Sequence, residues 1–200
     1  AGTITIGGHN VKEYTLASLM AQISIVFQRV YLFHDTIENN IRFGRPQATR
    51  AEVIAAAKKA ACHDFIIQLP NGYETMVGEG GANLSGGEKQ RISIARAILK
   101  DAPIIIFDEA TANVDPENED RLQQAIEALT QDKTVIMIAH RLNTVRNAAQ
   151  ILVVADGRIV QRGTHEELIA EDGIYADFIA SRRTAVGWRL SSSTAQSKIG

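Results

Sequence analysis

Cysteine is nearly missing from this chain: Cys62 is the only one among 200 residues. One thiol excludes an intramolecular disulfide framework and fits a reducing compartment. Long apolar runs are missing as well. The strongest are Ile104 to Phe107 and Ile151 to Ala155, well below the roughly 20 residues that cross a bilayer. Nor is there an excess of one charge. The 21 basic and 23 acidic side chains leave a formal net charge of −2, without the basic surplus of a duplex-binding module, so nucleic acid is not an expected partner. A small anion held at a local site stays open. The chain opens Ala1-Gly2-Thr3-Ile4, with neither a Met nor a basic-then-apolar leader, so we expect no signal peptide and read the sequence as part of a longer one. What is present is globular: 45% of the residues are apolar, enough for one domain or one two-lobed domain.

Periodicity divides the chain into strands and helices. Thr3 to Ile6 alternates and then meets Gly7-Gly8, the pattern of a strand entering a turn. Leu16, Leu19 and Met20 share helical spacing, and Ile23 to Phe27 is a β-branched strand that ends at Gln28. The texture then becomes helical: Thr36 to Phe43, Ala48 to Cys62 and Gly86 to Lys100 read as helices, with a turn at Leu69 to Gly72. Ile104 to Phe107 and Thr134 to Ala139 read as parallel strands buried on both faces. Between them a helix starts at Asp115-Pro116 and carries the stripe Leu122, Ile126, Leu129. Ile151 to Ala155 and Arg158 to Gln161, joined by Asp156-Gly157, form a hairpin. Thr164 to Glu167 is a capping box opening a helix, and Ile174 to Arg182 is the last one. The expected architecture is an α/β sheet core interrupted by a helical subdomain. Its segments are 1–28 (core), 29–100 (helical), 101–183 (core, continued) and 184–200 (a polar, disordered tail).

Two segments carry chemistry on their own. Ile104 to Phe107 ends in Asp108-Glu109, which places two acids at the carboxyl edge of a sheet, where open α/β folds bind ligands. One carboxylate can hold a hydrated Mg²⁺ while the other reaches a water; solvated acids at a strand end are the plainer alternative. Leu84-Ser85-Gly86-Gly87-Glu88 precedes a long helix. Amides at a helix N-terminus attract phosphate oxygens, and two glycines in the first turn cost about 1 kcal/mol each relative to Ala, which suggests close approach of something to the backbone. A Ser N-cap accounts for part of this pattern. Gln28 and His140 each follow a strand and can orient water, bind metal or contact phosphate, although each alone also suits a loop residue. Asp115 suits a plain N-cap. Cys62 and His63 have no partner at metal-ligand spacing, and His9, His34 and His165 are expected at the surface.

In series these residues resemble the nucleotide-binding domain of an ABC transporter, over about Gly2 to Ser181. Gln28 matches the Q-loop, Leu84 to Glu88 the signature sequence, Ile104 to Asp108 the Walker B strand, Glu109 the catalytic glutamate, Ala112 to Asp115 the D-loop and His140 the switch histidine. Val77-Gly78-Glu79 is similar to a stretch typical of exporters. The resemblance implies a P-loop NTPase-like parallel sheet core with an inserted α-helical subdomain, and ATP and Mg²⁺ as cofactors. It gives Glu109, His140 and Gln28 catalytic roles, with Asp108 and Gln28 at the metal and Ser85, Gly86, Gly87, Glu88, Asp108 and Asp115 at the nucleotide. It further implies a second nucleotide-binding domain paired head to tail, transmembrane domains as partners, and a place on the cytoplasmic face of a membrane. Tyr31 to Ile41 is read either as a groove for the membrane part or as subdomain core.

The sequence departs from the family pattern in three places. Glu88 replaces the usual Gln, the D-loop reads Ala-Asn-Val-Asp, and there is no Gly-x-x-x-x-Gly-Lys-[Ser/Thr]: none of the seven lysines follows a glycine. The phosphate loop is expected upstream of Ala1, the core is expected to lack its N-terminal strands, and the chain alone is expected to be inactive. A DNA-repair type ATPase and a non-catalytic scaffold cassette are the alternatives. The stretch from Gln28 to Ser85 is too short for the coiled coil of the former, and Glu109 and His140 argue against the latter.

Overall fold

The computed structural model describes residues 2–81, 83–108, 116–138 and 146–181, with side chains from residue 120 onward in the third stretch. Contacts divide the chain into two units, Ala1–Ile138 and Ala139–Gly200.

The first unit opens with β1 (Thr5–Ile6) and β2 (His9–Asn10), a small antiparallel hairpin. Gly7 and Gly8 turn it at φ 58° and 83°, a region glycine enters without a Cβ penalty. Thr15 caps α1 (Leu16–Ala21), and β3 (Ile23–Phe27) follows at once. Four helices then come before the next strand: α2 (Ile37–Arg42), α3 (Arg50–Lys59), α4 (His63–Gln68) and α5 (Gly86–Lys100). After them come β4 (Ile104–Asp108), α6 (Pro116–Thr130) and β5 (Thr134–Ile138). The sheet order is β3-β4-β5, all parallel, the right context for helical connections.

Local signals explain most helix ends. Thr36, Thr49 and Ser85 each accept the N3 amide, and at Thr49 and Ser85 a glutamate answers in a reciprocal capping box. The backbone N–H of Thr49 holds the Glu52 carboxyl below the usual carboxylate range. One expectation needs correction. The run from Ala48 to Cys62 is not a single helix: α3 stops at Lys59, and Ala61 takes φ 51°. The Cys62 amide donates to Ala57 O and the Ala61 amide to Lys58 O, which together close a Schellman stop. Ala stands where glycine is usual, so the sequence carries no stop signal. The chain restarts as the short helix α4, which the sequence reading left out.

One core serves this unit. Val26, Ile105 and Phe107 from the sheet meet Ile92, Ile94, Ala95 and Leu99 of α5 and Leu122, Ala125, Ile126 and Leu129 of α6. Lys100 Nζ donates to Ile23 O at 2.6 Å and ties the end of α5 to the start of β3. Cys62 is fully buried; burial pushes its thiol up to about 12.

Within the first unit, the described residues cover the sheet on one side only. Alternation places Ile23, Ile25 and Phe27 on the face opposite the core, beside Ile104, Ile106 and Asp108 and then Thr134, Ile136 and Ile138. On that face Ile25, Phe27, Ile136 and Ile138 are 45%, 53%, 51% and 51% exposed. The expectation of strands buried on both faces therefore fails for β5, and half-fails for β4, whose Ile104 and Ile106 are only partly buried. β5 is also an edge strand, with no described neighbour beyond it.

The second unit carries β6 (Ile151–Ala155) and β7 (Arg158–Gly163), turned by Asp156 and Gly157 at positive φ. Thr164 and Glu167 form the expected capping box of α7 (His165–Ala170), and a helix over residues 174–181 follows. Ile151, Leu168, Tyr175 and Ile179 make a separate small core. His165, expected at the surface, is buried there, with Nδ1 2.8 Å from the Tyr175 hydroxyl. The proposed tail 184–200 lies outside the described residues.

An exposed apolar face beside an edge with no described partner invites association. We expect the 200-residue chain alone to elute above monomer size, and Ile25→Lys with Ile136→Lys to return it to monomer. A monomeric unsubstituted chain in size-exclusion chromatography with light scattering would contradict this.

Candidate functional site

The parallel register decides where the strand ends fall. Phe27 pairs with Asp108, and Asp108 with Ile138, so three carboxyl-terminal strand ends lie abreast. Gln28 follows the first of them directly. Glu109 and Asp115 lie outside the described residues, and so does His140, two positions after Ile138. Asp108 stands on the uncovered face between Phe27 and Ile138. It is half-buried, and its carboxylate has no hydrogen bond to a described residue. The Gln28 side chain is exposed and likewise makes no such bond. These are two oxygen donors of the hard type that Mg²⁺ takes, few enough to leave places for phosphate and water. Among the described residues no cluster of three or more His, Cys, Asp or Glu competes as a metal site.

The second group sits at the start of α5, outside that strand edge. Ser85 Oγ accepts the Glu88 amide at 3.3 Å, so the plainer N-cap reading holds. The hydroxyl proton stays free to donate. Ser85 and Gly86 are exposed, and a Cβ built on Gly86 would meet nothing within 4 Å. Among the described residues, packing therefore gives no reason for a glycine at 86, and its backbone is open to approach from outside. Glu88 turns back: its Oε2 accepts the Ser85 amide at 2.8 Å. The carboxylate thus takes one amide of the turn and sets a negative charge at the end of the helix where anions would be drawn.

The loop before α5 is shaped to deliver this turn. Asn83 Oδ1 accepts the Gly78 amide and its Nδ2 donates to Met76 O, both at 3.0 Å. Gly80 and Gly81 have φ 60° and 79°, and a Cβ on Gly81 would strike the Lys89 side chain at 2.8 Å. Val77 is fully buried, whereas Glu79 is exposed.

The segment after Gln28 divides between the two readings given to it. Leu32, Ile37 and Ile41 are core, while Tyr31 (58%), Phe33 (39%) and Phe43 (59%) are exposed. Phe33 packs edge-on to Tyr31 at 5.6 Å and tilted on Phe43 at 4.7 Å. Sequence reasoning had no signal for what holds them: Arg96 lies over both phenylalanine rings.

A sequence profile described as ABC transporter matches residues 1–112. This chain belongs to the ABC transporter family. It is 52% identical over 175 residues to an ATP-dependent lipid A-core flippase of Syntrophus aciditrophicus, covering 88% of this chain and 29% of that protein. It is 51% identical over 175 residues to a putative multidrug export ATP-binding/permease protein of Staphylococcus aureus, covering 88% of this chain and 30% of the relative. A solved structure of a bacterial Atm1-family ABC exporter with ATP bound superposes with a TM-score of 0.84 at 47% identity, over 91% of this chain and 32% of that one. The chain thus spans about a third of the length of these exporters. It has the α/β fold of their ATP-binding part, and no described helix is long and apolar enough to cross a membrane.

If the α5 turn receives phosphate, Glu88→Gln keeps the cap and removes the repelling charge. We expect KM for ATP in the longer transporter to fall about two- to fivefold, the size of a charge effect at a helix end, and the gain to shrink with added salt. Steady-state ATPase assays at two ionic strengths read this out; an unchanged KM counts against phosphate at this turn.

Proposed function

We propose that this chain is the ATP-hydrolysing domain of an ABC exporter, acting on the cytoplasmic face of a membrane against transmembrane domains of the same transporter. The observation that supports this reading is the register that brings Phe27, Asp108 and Ile138 abreast, since it sets Asp108 beside the strand end that Gln28 follows. Asp108 and Gln28 would hold Mg²⁺, and their paired oxygen donors fit it. When bound, the cation neutralises charge on the terminal phosphates. Glu109 accepts the proton of the attacking water, Gln28 fixes that water's position, and His140 donates to the γ-phosphate. Ser85, Gly86 and Gly87 offer donors to the nucleotide held by a second domain paired head to tail, with Glu88 shaping their turn and Asp115 at the same interface.

The division 29–100 as a helical arm between core segments 1–28 and 101–183 belongs to the same reading. α2 to α5 fall between β3 and β4, and the arm would carry the signature turn toward the partner domain. Tyr31, Phe33 and Phe43 form the surface that meets the membrane part. A non-catalytic cassette is the competing reading, favoured by the missing Gly-x-x-x-x-Gly-Lys motif. For the same reason the chain alone would grip ATP weakly.

Three outcomes test this. In the longer transporter, Glu109→Gln lowers ATP turnover by roughly 10²–10⁴, the scale of general base catalysis, while ATP still binds. Unchanged turnover removes Glu109 from the chemistry and favours the cassette. Titration of the 200-residue chain with a fluorescent ATP analogue finds no micromolar affinity. Tyr31→Glu or Phe33→Glu uncouples transport from hydrolysis without lowering the melting temperature; loss of folding instead would return this segment to the core reading.

A further inference from the structure

Arg96 lies on α5, roughly 16 Å along the helix from the signature turn. Its guanidinium is drawn out of water, and burial pushes its pKa down to about 10. Among the described residues no carboxylate pairs with it. Neutral oxygens hold it instead. Nε donates to Asn40 O at 2.9 Å, Nη2 to Asn40 Oδ1 at 3.2 Å and Nη1 to Tyr31 O at 3.4 Å. The same group lies over the rings of Phe33 and Phe43, at 5.5 and 5.4 Å.

Asn40 carries the clamp further. Its Oδ1 accepts the Phe33 amide at 2.8 Å, and its Nδ2 donates to Phe33 O and Thr36 O, both at 3.0 Å. The backbone of residue 96 is engaged as well: a Cβ on Gly44 would sit 2.1 Å from Arg96 O, so only glycine lets the chain rest on α5 there. One residue thus grips both ends of segment 31–44. A well-packed apolar side chain usually stabilises a buried position better than a desolvated cation does. What the guanidinium adds is a planar fork that fixes two backbone carbonyls, one side-chain amide and two rings in one geometry.

We propose that Arg96 is a positioning residue: it joins segment 31–44 to α5 as one rigid piece, so that pressure on Tyr31, Phe33 and Phe43 is delivered to the Ser85–Glu88 end of the same helix. The proposal rests on the reading that this aromatic surface meets the membrane part. Lysine in place of Arg96 keeps the charge but loses the fork and the ring stacking.

The test uses the intact transporter, with ATPase kinetics and hydrogen–deuterium exchange in lipid nanodiscs and transport in proteoliposomes, on Arg96→Lys, Phe43→Leu and Tyr31→Glu. For Arg96→Lys we expect kcat to fall about fivefold or more, the low end of coupling between sites, with KM for ATP held within about twofold. Exchange should rise in amides 31–44 while α5 stays protected. A purely structural residue would instead raise exchange along α5 and lower the melting temperature, and that outcome overturns the proposal. So does an unchanged kcat in Arg96→Lys when Tyr31→Glu uncouples transport from hydrolysis, in which case the surface reading survives. If Tyr31→Glu leaves the two coupled, the surface reading falls and the proposal with it. If Arg96→Lys does not fold, Phe43→Leu, which removes one ring from an exposed position, must show the same split in smaller measure; an unchanged kcat there overturns the proposal.

Discussion

Burial of the α5 face that carries Ile92, Ile94, Ala95 and Leu99 is the constraint that organises the first unit. This helix packs against α2, α3, α6 and β3, so the sheet, the helical segment and the signature turn share one reference. Its N-terminus is fixed by the Ser85–Glu88 box and its C-terminus by Lys100 on Ile23 O. Because β3 and β4 pair in register, fixing the helix against β3 also fixes the edge where Gln28 and Asp108 emerge. Asp108 and the Ser85–Glu88 turn are therefore set on regular elements, and the loop 76–84 before that turn is braced by Asn83 and two glycines.

Two charges are held in tension around α5. At its start, Glu88 spends a carboxylate on one of the amides a phosphate would otherwise meet, which makes the turn self-sufficient before any ligand arrives. Further along, Arg96 is kept charged among neutral oxygens and aromatic faces. Both arrangements hold a local shape at an electrostatic cost, and together they give the helix two defined ends of influence.

What could be read from the sequence was what local chemistry encodes. Ser85, Thr164 and the Asp156-Gly157 turn announce themselves because a cap or a positive φ needs particular side chains. The strand Ile104 to Asp108 was legible because its apolar run stops abruptly at an acid. The break after Lys59 was not, since alanine fills the left-handed position and helix propensity runs on without interruption. The exposure of β5 was hidden too: Ile136 and Ile138 look like core residues, and only the layer arrangement reveals that nothing described lies over them. His165 was misplaced for the same reason, because its partner Tyr175 comes from another helix. Arg96 gave no signal, as its partners lie more than fifty positions upstream. For Glu109, Asp115 and His140 the described residues give the strand ends that lead to them and no more.

The lone thiol has a practical consequence. Cys62 lies under the seam where α3 hands over to α4, its Sγ 3.3 Å from Ala57 O, and its raised pKa leaves almost no thiolate at neutral pH. Electrophiles will therefore find it only when that seam opens. The native cysteine is a silent alarm for unfolding, and the surface is left clear for labels placed wherever an experimenter chooses.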